Sequence, residues 1–139
     1  EIIEPTLKAK KIHFTKTFNS NPVVLGDAIQ IQQVLINLFN NAIDAIANDN
    51  SSRREIKLTI VSDHQFASIS IEDTGTGIDP NLLPTIFELY KTTKAEGLGV
   101  GLWLSKTIMD KHHGRISASN SADGGAIFTV QIPLAEKKP

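Results

Sequence analysis

The sequence contains no cysteine, so disulfide bonds and thiolate metal sites are excluded. Its histidines, His13, His64, His112 and His113, lack the spacing of a zinc site. No apolar run approaches the roughly 20 residues that a membrane-spanning helix needs, and the N-terminus does not resemble a signal peptide. The chain begins at Glu1 without a methionine, and we therefore expect a piece of a longer protein.

An excess of one charge is also missing. Fourteen basic residues stand against fifteen acidic ones, for a net charge of −1, and no cluster of Lys and Arg forms a stripe. We therefore expect no nucleic-acid partner and no membrane contact by this part of the protein. A length of 139 residues with 40% hydrophobic content predicts one domain, residues 1–139, with a core of its own.

Hydrophobic periodicity predicts a mixed α and β chain. Alternation predicts strands at 11–18, 23–25, 55–62, 67–73, 115–119 and 126–132, the first two forming a hairpin or a pair of edge strands. Helical spacing predicts a long helix at 28–47 capped by Gly26-Asp27, a short one from Asp79-Pro80 to about Tyr90, and one ending near Lys111 with Val100, Leu104 and Ile108 buried. Residues 1–10 are expected to form a short amphipathic turn or helix.

The long helix carries a second, polar stripe. Its members recur every three or four residues: Gln30, Gln33, Asn37, Asn41, Asp44 and Asn48. A solvated helix face is normally rich in Lys, Glu and Arg, which are better helix formers than Asn and Asp. The stripe indicates side chains kept for binding, although a polar face that happens to be rich in amides is the alternative.

The segment 73–78 follows an alternating strand and contains two glycines. Asp73 has the parity of Ile69 and Ile71, so its carboxylate is predicted to point toward the core, where it needs a donor. Gly75 and Gly77 permit positive φ and close approach of the backbone to another group. The segment is either a binding site or a strand that ends in an ordinary Asp-Gly turn.

A polar run at 91–96 leads into three glycines at alternate positions, Gly97, Gly99 and Gly101, and then into a helix. Exposed N–H groups and the dipole at a helix N-terminus favour a phosphate, and Lys94 adds a positive charge. A flexible linker would have a similar composition.

These three signals, in this order on one chain, resemble the catalytic and ATP-binding domain of sensor histidine kinases. That domain belongs to the ATPase group that also contains gyrase, MutL and the ninety-kilodalton heat-shock chaperone. The likeness covers nearly the whole chain: 37–42 resembles the N box, 73–78 the first glycine box, 86–88 with 92–94 the phenylalanine box and lid, and 97–102 the second glycine box, while 124–128 resembles the entry to the terminal strand.

The predicted elements and the resemblance together imply an α+β fold, a two-layer α/β sandwich of the Bergerat type. Its sheet has about five mostly antiparallel strands with helices on one face. The resemblance implies ATP and Mg2+ as cofactors. The nucleotide-binding residues would then be Asn37, Asn41, Asp44, Ala45, Asp73, Gly75, Gly77, Ile78, Thr93, Lys94, Gly97, Leu98, Gly99, Val100, Gly101, Leu102 and Thr129.

The resemblance also implies roles for individual residues. Asn41 would contact the Mg2+ held against the phosphates, and Asn41 and Lys94 would be the catalytic residues. Asp73 would accept a hydrogen bond from the adenine amino group, and Ile78 would pack on the base. Lys94 and the amides of 99–102 would hold the phosphates.

One position favours phosphoryl transfer over hydrolysis. Hydrolytic members of the group place a glutamate general base four residues before the magnesium asparagine, where this chain has Asn37, which cannot take a proton at neutral pH. The acidic residue at position 44, Asp44, resembles what the hydrolytic relatives have there. Leu89, Tyr90 and Lys91 differ from the residues that commonly follow Phe-Glu in the kinases. A hydrolytic ATPase and a pseudokinase interaction module are the alternatives.

The resemblance implies partners outside this chain. Kinases of this type phosphorylate a histidine, usually followed by Glu or Asp, on a separate dimerisation domain, and no histidine here is followed by an acid. We therefore expect the acceptor on a histidine-bearing dimerisation domain of the same full-length protein, with a response regulator as a further partner. We also expect a cytoplasmic location for this domain.

Overall fold

The computed structural model describes residues 11–18, 26–47, 53–88, 100–122 and 124–135. Within these ranges the elements are, in chain order, β1 His13–Phe18, α1 Ala28–Ala47, β2 Glu55–Ser62, β3 Phe66–Asp73, α2 Val100–Lys111, β4 Arg115–Asn120 and β5 Ala126–Pro133. The elements predicted at 1–10 and 23–25 lie outside the described residues. Neither α1 nor α2 is long and apolar enough to cross a membrane.

The strands form one mixed sheet in the order β1-β2-β3-β5-β4. The pairs β2–β3, β3–β5 and β4–β5 are antiparallel, and β1 runs parallel to β2, with His13 opposite Glu55 and Phe18 opposite Ile60. The mostly antiparallel five-stranded sheet is therefore confirmed. The partner of β1 is a strand about 40 residues further along the chain, a pairing that local alternation does not predict.

The core lies between the sheet and the two helices. Its buried side chains come mainly from one face of α1 and from alternate positions of β3 and β5: Val34, Leu38, Phe39, Ala42, Ile43, Ile46, Ile69, Ile71, Phe128, Val130 and Ile132. The intervening strand residues point to the other face, where the hydroxyls of Ser70 and Thr129 lie 3.0 Å apart. A hydrophobic face opposite a polar face is the pattern of a sheet covered on one side.

The helix α1 begins where the sequence predicts. Asp27 is its N-cap, because Oδ1 accepts hydrogen bonds from the backbone N–H groups of Ile29 at 2.9 Å and Gln30 at 3.1 Å. Such a cap satisfies donors that have no partner within the helix. The predicted end at Ala47 is also observed.

Asp63 shapes the turn between β2 and β3. Its Oδ1 accepts hydrogen bonds of 2.7 Å from the backbone N–H groups of both Phe66 and Gln65. These two bonds lower the pKa of the Asp63 carboxyl. Because the folded-state pKa lies below the unfolded one, the stabilisation is present above the unfolded pKa and is lost as the pH falls through the folded pKa.

The segment after Pro80 differs from the predicted helix. Turns at 80–82 lead into a 3-10 helix at Leu83–Thr85. An α-helix that began at Pro80 would need the N–H of residue 84 to bond to the carbonyl of Pro80, and Pro84 has no N–H. Tyr90, the predicted end, lies outside the described residues.

The buried face of α2 also differs from the prediction. Leu102, Ser105, Ile108 and Met109 are buried, whereas Val100 is 39% exposed. Ser105 is fully buried, and a search for apolar residues at helical spacing passes over a serine. The predicted stripe was therefore wrong at Val100 and right at Ile108.

The C-terminus of α2 is closed by a Schellman motif. The N–H of Gly114 donates to the carbonyl of Met109 and the N–H of His113 donates to that of Asp110. The residue in the left-handed conformation is His113, with φ of 58°, and not the glycine that follows it. Gly114 is needed for another reason, because a Cβ there would overlap the carbonyl oxygen of Gln131.

Replacing His113 by glycine is expected to raise the free energy of unfolding by about 0.5–1 kcal/mol, since glycine removes the left-handed strain at a small cost in chain entropy. Urea unfolding of the two proteins measures the difference. Gly114→Ala, one residue further on, is expected to destabilise because of its contact with Gln131. A destabilised His113→Gly variant would contradict this account of the helix end.

Candidate functional site

Asp73, the last residue of β3, is the buried charge of the candidate site. Its side chain is 2% exposed because strand alternation places it on the face of Ile69 and Ile71. Oδ1 accepts hydrogen bonds from the N–H of Gly75 at 2.8 Å and from the N–H of Ala126 at 3.3 Å, and Oδ2 is buried as well. A carboxylate accepts about four hydrogen bonds, so the buried Asp73 side chain is a group to which a ligand can donate.

Glycines allow the chain to pack closely around this carboxylate. A Cβ on Gly75 would lie 2.5 Å from the carbonyl carbon of Ala45, so the turn after β3 rests directly on the backbone of α1. A Cβ on Gly125 would overlap the carbonyl oxygen of Asp73. Only glycine fits at these two contacts, which fix the end of β3 between α1 and the start of β5.

Gly77 meets a different requirement. Its φ of 76° lies in the left-handed region, and a Cβ there would be 2.5 Å from the carbonyl oxygen of Gly124. The loop at 75–78 therefore lies on the turn between β4 and β5. Ile78, which follows, is half-buried and packs against the core.

The polar stripe of α1 connects the two glycine segments. Asn37 Nδ2 lies 3.4 Å from the carbonyl oxygen of Gly101 and 3.3 Å from Ser105 Oγ, both on α2. Ala45, two helical turns later, contacts Gly75. Asn41 is half-buried and lies midway, about 6 Å along the helix axis from each. The stripe therefore runs from the N-terminus of α2 to the loop beside Asp73, with Asn41 between them.

The N-terminus of α2 forms the other end of this arrangement. Leu102 is buried in the core, so only its backbone is available to a ligand. A Cβ on Gly101 would have no atom within 4 Å, so packing among the described residues does not require a glycine there. Asp44 on α1 is half-buried, like Asn41.

The described residues include twelve of the seventeen predicted nucleotide-binding positions. The remaining five predictions lie outside them: Thr93, Lys94, Gly97, Leu98 and Gly99.

Thr129 requires a correction. It pairs with Ser70 on β3 and lies on the face of the sheet opposite to Phe128 and Asp73, with its hydroxyl 3.0 Å from that of Ser70. The strict alternation of Ala126, Phe128 and Val130 along β5 is visible in the sequence and could have excluded Thr129 from the pocket.

Two contributors to the site were not predicted. Ala126 acts through its backbone N–H, which no side-chain pattern reveals. Asn120, at the end of β4, bonds through its side chain to the backbone of Ile78, 42 residues earlier in the chain. Such a contact depends on the tertiary fold, and nothing in the spacing of the sequence points to it.

Comparisons with known proteins identify this arrangement. The sequence profile of the histidine kinase-, DNA gyrase B- and HSP90-like ATPases matches residues 26–136. Sensor protein FixL of Bradyrhizobium diazoefficiens is 41% identical over 116 residues, which cover 83% of this chain and 23% of that protein. The chain therefore spans about a quarter of that relative.

Solved structures of histidine kinases are also similar to this chain. The nucleotide-free catalytic domain of histidine kinase ThkA superposes with a TM-score of 0.83 at 30% identity, covering 95% of this chain and 86% of that domain. Histidine kinase ThkA in complex with response regulator protein TrrA superposes with a TM-score of 0.78 at 27% identity, covering 96% of this chain and 37% of that one. This chain belongs to the histidine kinase-, DNA gyrase B- and HSP90-like ATPase family, as the ATP-binding catalytic domain of a sensor histidine kinase.

Proposed function

We propose that this chain binds Mg-ATP along the polar stripe of α1 and transfers the γ-phosphoryl group to a histidine on a separate dimerisation domain of the same full-length protein. The observation that carries the proposal is the buried carboxylate of Asp73, held by two backbone donors beside the point where Gly75 rests on α1. A buried charge so placed favours a ligand that presents a hydrogen-bond donor.

Asp73 binds the adenine end of the nucleotide in this proposal. The adenine amino group donates to the carboxylate, and Gly75 and Gly77 allow the loop beside it to pack on α1 and on the turn before β5. Ile78, half-buried against the core, supplies an apolar surface for one face of the base. The amino group distinguishes adenine from guanine, which has a carbonyl oxygen at the equivalent position.

The phosphates lie toward the N-terminus of α2. The first N–H groups of a helix and its dipole favour an anion, so the backbone of 100–102 would hold the phosphates together with Lys94 and the backbone of 97–99. Asn37 fixes this N-terminus to α1, because its amide contacts both Gly101 and Ser105.

The side chains available fit a magnesium ion that is held largely by its nucleotide. Mg2+ prefers oxygen ligands and is commonly bound by one or two protein oxygens plus substrate phosphates. Within the described part of the chain, no group of three or more His, Asp or Glu residues could form a cage for a metal. Asn41, which lies on α1 between the loop beside Asp73 and the N-terminus of α2, would supply its amide oxygen as the protein ligand. The ion would neutralise phosphate charge during transfer.

Asn37 supports transfer over hydrolysis. Its Oδ1 accepts a hydrogen bond of 2.9 Å from Gln33 Nε2, while Nδ2 faces α2. A neutral amide in this position cannot take a proton from water. The chain's contribution to catalysis is then positioning and charge stabilisation rather than base chemistry.

The acceptor histidine is assigned to another domain because no histidine of this chain is followed by Glu or Asp. His112 has a structural role instead. Its Nε2 accepts a hydrogen bond of 3.0 Å from the backbone N–H of Asp27, so Nδ1 donates to the carbonyl of Ile108 at 2.8 Å. His112 therefore joins the C-terminus of α2 to the N-terminus of α1. The complex of ThkA with TrrA supports a response regulator as a later partner of the full-length protein.

Mixing this chain with the histidine-bearing dimerisation domain and γ-labelled Mg-ATP tests the proposal. We expect label on the acceptor domain and, in its absence, no release of phosphate above background. The matched control replaces the acceptor histidine with alanine. Steady phosphate release by this chain alone would instead establish the hydrolytic ATPase, and neither transfer nor release despite ATP binding would favour the pseudokinase.

A further inference from the structure

Asn120 forms a two-point bond with the loop that follows β3. Its Oδ1 accepts a hydrogen bond of 2.7 Å from the backbone N–H of Ile78, and its Nδ2 donates to the backbone carbonyl of Ile78 at 2.8 Å. A planar amide supplies a donor and an acceptor side by side, as a peptide group of a neighbouring strand does. The side chain therefore extends the edge of β4 to the loop at 75–78.

The same end of the sheet also holds Asp73. Asn120 is paired across the strands with Ala126, whose N–H donates to Asp73 Oδ1. The pair thus contacts both proposed sides of the base pocket. Ala126 bonds to the carboxylate of Asp73, and Asn120 bonds to the backbone of Ile78.

The connection from β4 to β5 is itself anchored to β3. Ser121 Oγ donates to Glu72 Oε2 at 2.8 Å, and the N–H of Ser121 donates to the carbonyl of Gly125 at 2.7 Å. The loop rests on this connection where Gly77 approaches Gly124. Asn120 therefore ties the loop to a fixed part of the sheet.

We propose that Asn120 is a positioning residue for base recognition, which sets the distance between Ile78 and Asp73 and so the width of the adenine pocket. The inference rests on the proposed nucleotide binding at Asp73. Asn120 does not touch the base in this account, and it acts through the backbone of Ile78. Its loss should therefore reduce the preference for adenine rather than reduce binding of all nucleotides equally.

The test compares Mg-ATP and Mg-GTP affinities of the wild-type chain and of Asn120→Ala, measured by competition against a fluorescent ATP analogue. We expect the Kd for ATP to rise about tenfold with a much smaller change for GTP, as two exposed hydrogen bonds are lost at the base end only. The matched control is Ser119→Ala, the preceding and likewise exposed residue of β4, which is expected to leave both affinities unchanged.

Asn120→Asp provides an independent variant if the alanine protein does not fold. It retains an acceptor for the N–H of Ile78 and places a carboxylate oxygen against the Ile78 carbonyl, so the same loss of ATP preference is expected. An unchanged ATP affinity in a folded variant, or an equal loss for ATP and GTP, overturns the inference. Failure of the wild-type chain to bind ATP would instead overturn the proposed function.

Discussion

Replacing Asp73 by asparagine is expected to weaken ATP binding by about 1–3 kcal/mol, a rise of roughly 5- to 150-fold in Kd. The asparagine oxygen can still accept the N–H groups of Gly75 and Ala126, so the end of β3 keeps its shape. The new amide N–H2 group, however, faces the adenine amino group, and two donors cannot bond to each other. Equilibrium binding to ATP, measured by calorimetry, gives the change.

The same substitution should alter the choice of base. Because an amide N–H2 can donate to the carbonyl oxygen of guanine, the affinity for GTP is expected to hold or rise while that for ATP falls. Asp63→Asn is the matched control, since Asp63 also accepts two backbone N–H groups and lies at the opposite end of β3. If the Asp73→Asn protein bound ATP as tightly as the wild-type chain does, and GTP likewise, Asp73 would have another role.

Gly75→Ala is expected to have the second large effect, on both stability and ATP binding. The new methyl group would lie 2.5 Å from the carbonyl carbon and 2.6 Å from the carbonyl oxygen of Ala45. Backbone of a long helix cannot move aside cheaply, so the loop must separate from α1 at a cost of about 1–3 kcal/mol. Asp73 lies beside the loop and Asn41 lies on α1, so separating the loop from α1 also moves these two proposed ligand contacts apart. The ATP Kd should therefore rise as well.

Urea unfolding and ATP titration of the Gly75→Ala protein measure the two effects. Gly101→Ala serves as the control for stability, because a Cβ there meets nothing within 4 Å and alanine is the better helix former. The unfolding free energy of that control is expected to stay the same or rise. A Gly75→Ala protein as stable as the wild type would contradict the close contact between the loop and α1.

Local patterns predicted those parts of the fold that local chemistry determines. The bounds of α1 follow from the Asp27 cap and from apolar residues at helical spacing, and the structure has the same bounds. The strand β2 was likewise predicted at its observed limits. The parallel pairing of β1 with β2 was not predicted, because it joins segments about 40 residues apart through backbone bonds that carry no sequence signature.

The candidate site divides in the same way. The inward direction of Asp73 followed from alternation along β3, and its burial confirms it. The contributions of Ala126 and Asn120 arise where β4 and β5 meet the loop after β3, so they depend on tertiary contacts. The prediction that Thr129 binds the nucleotide was wrong. The alternation of buried residues along β5, which the sequence already shows, places Thr129 on the opposite face of the sheet.

Titration of this chain with a non-hydrolysable ATP analogue, in the presence and absence of Mg2+, is the direct test of Mg-ATP binding at Asp73. We expect saturable binding to one site, with full affinity only in the presence of Mg2+ and a lower affinity in the Asp73→Asn protein. Absence of binding by the folded wild-type chain, or binding that is indifferent to both Mg2+ and Asp73, would contradict this expectation.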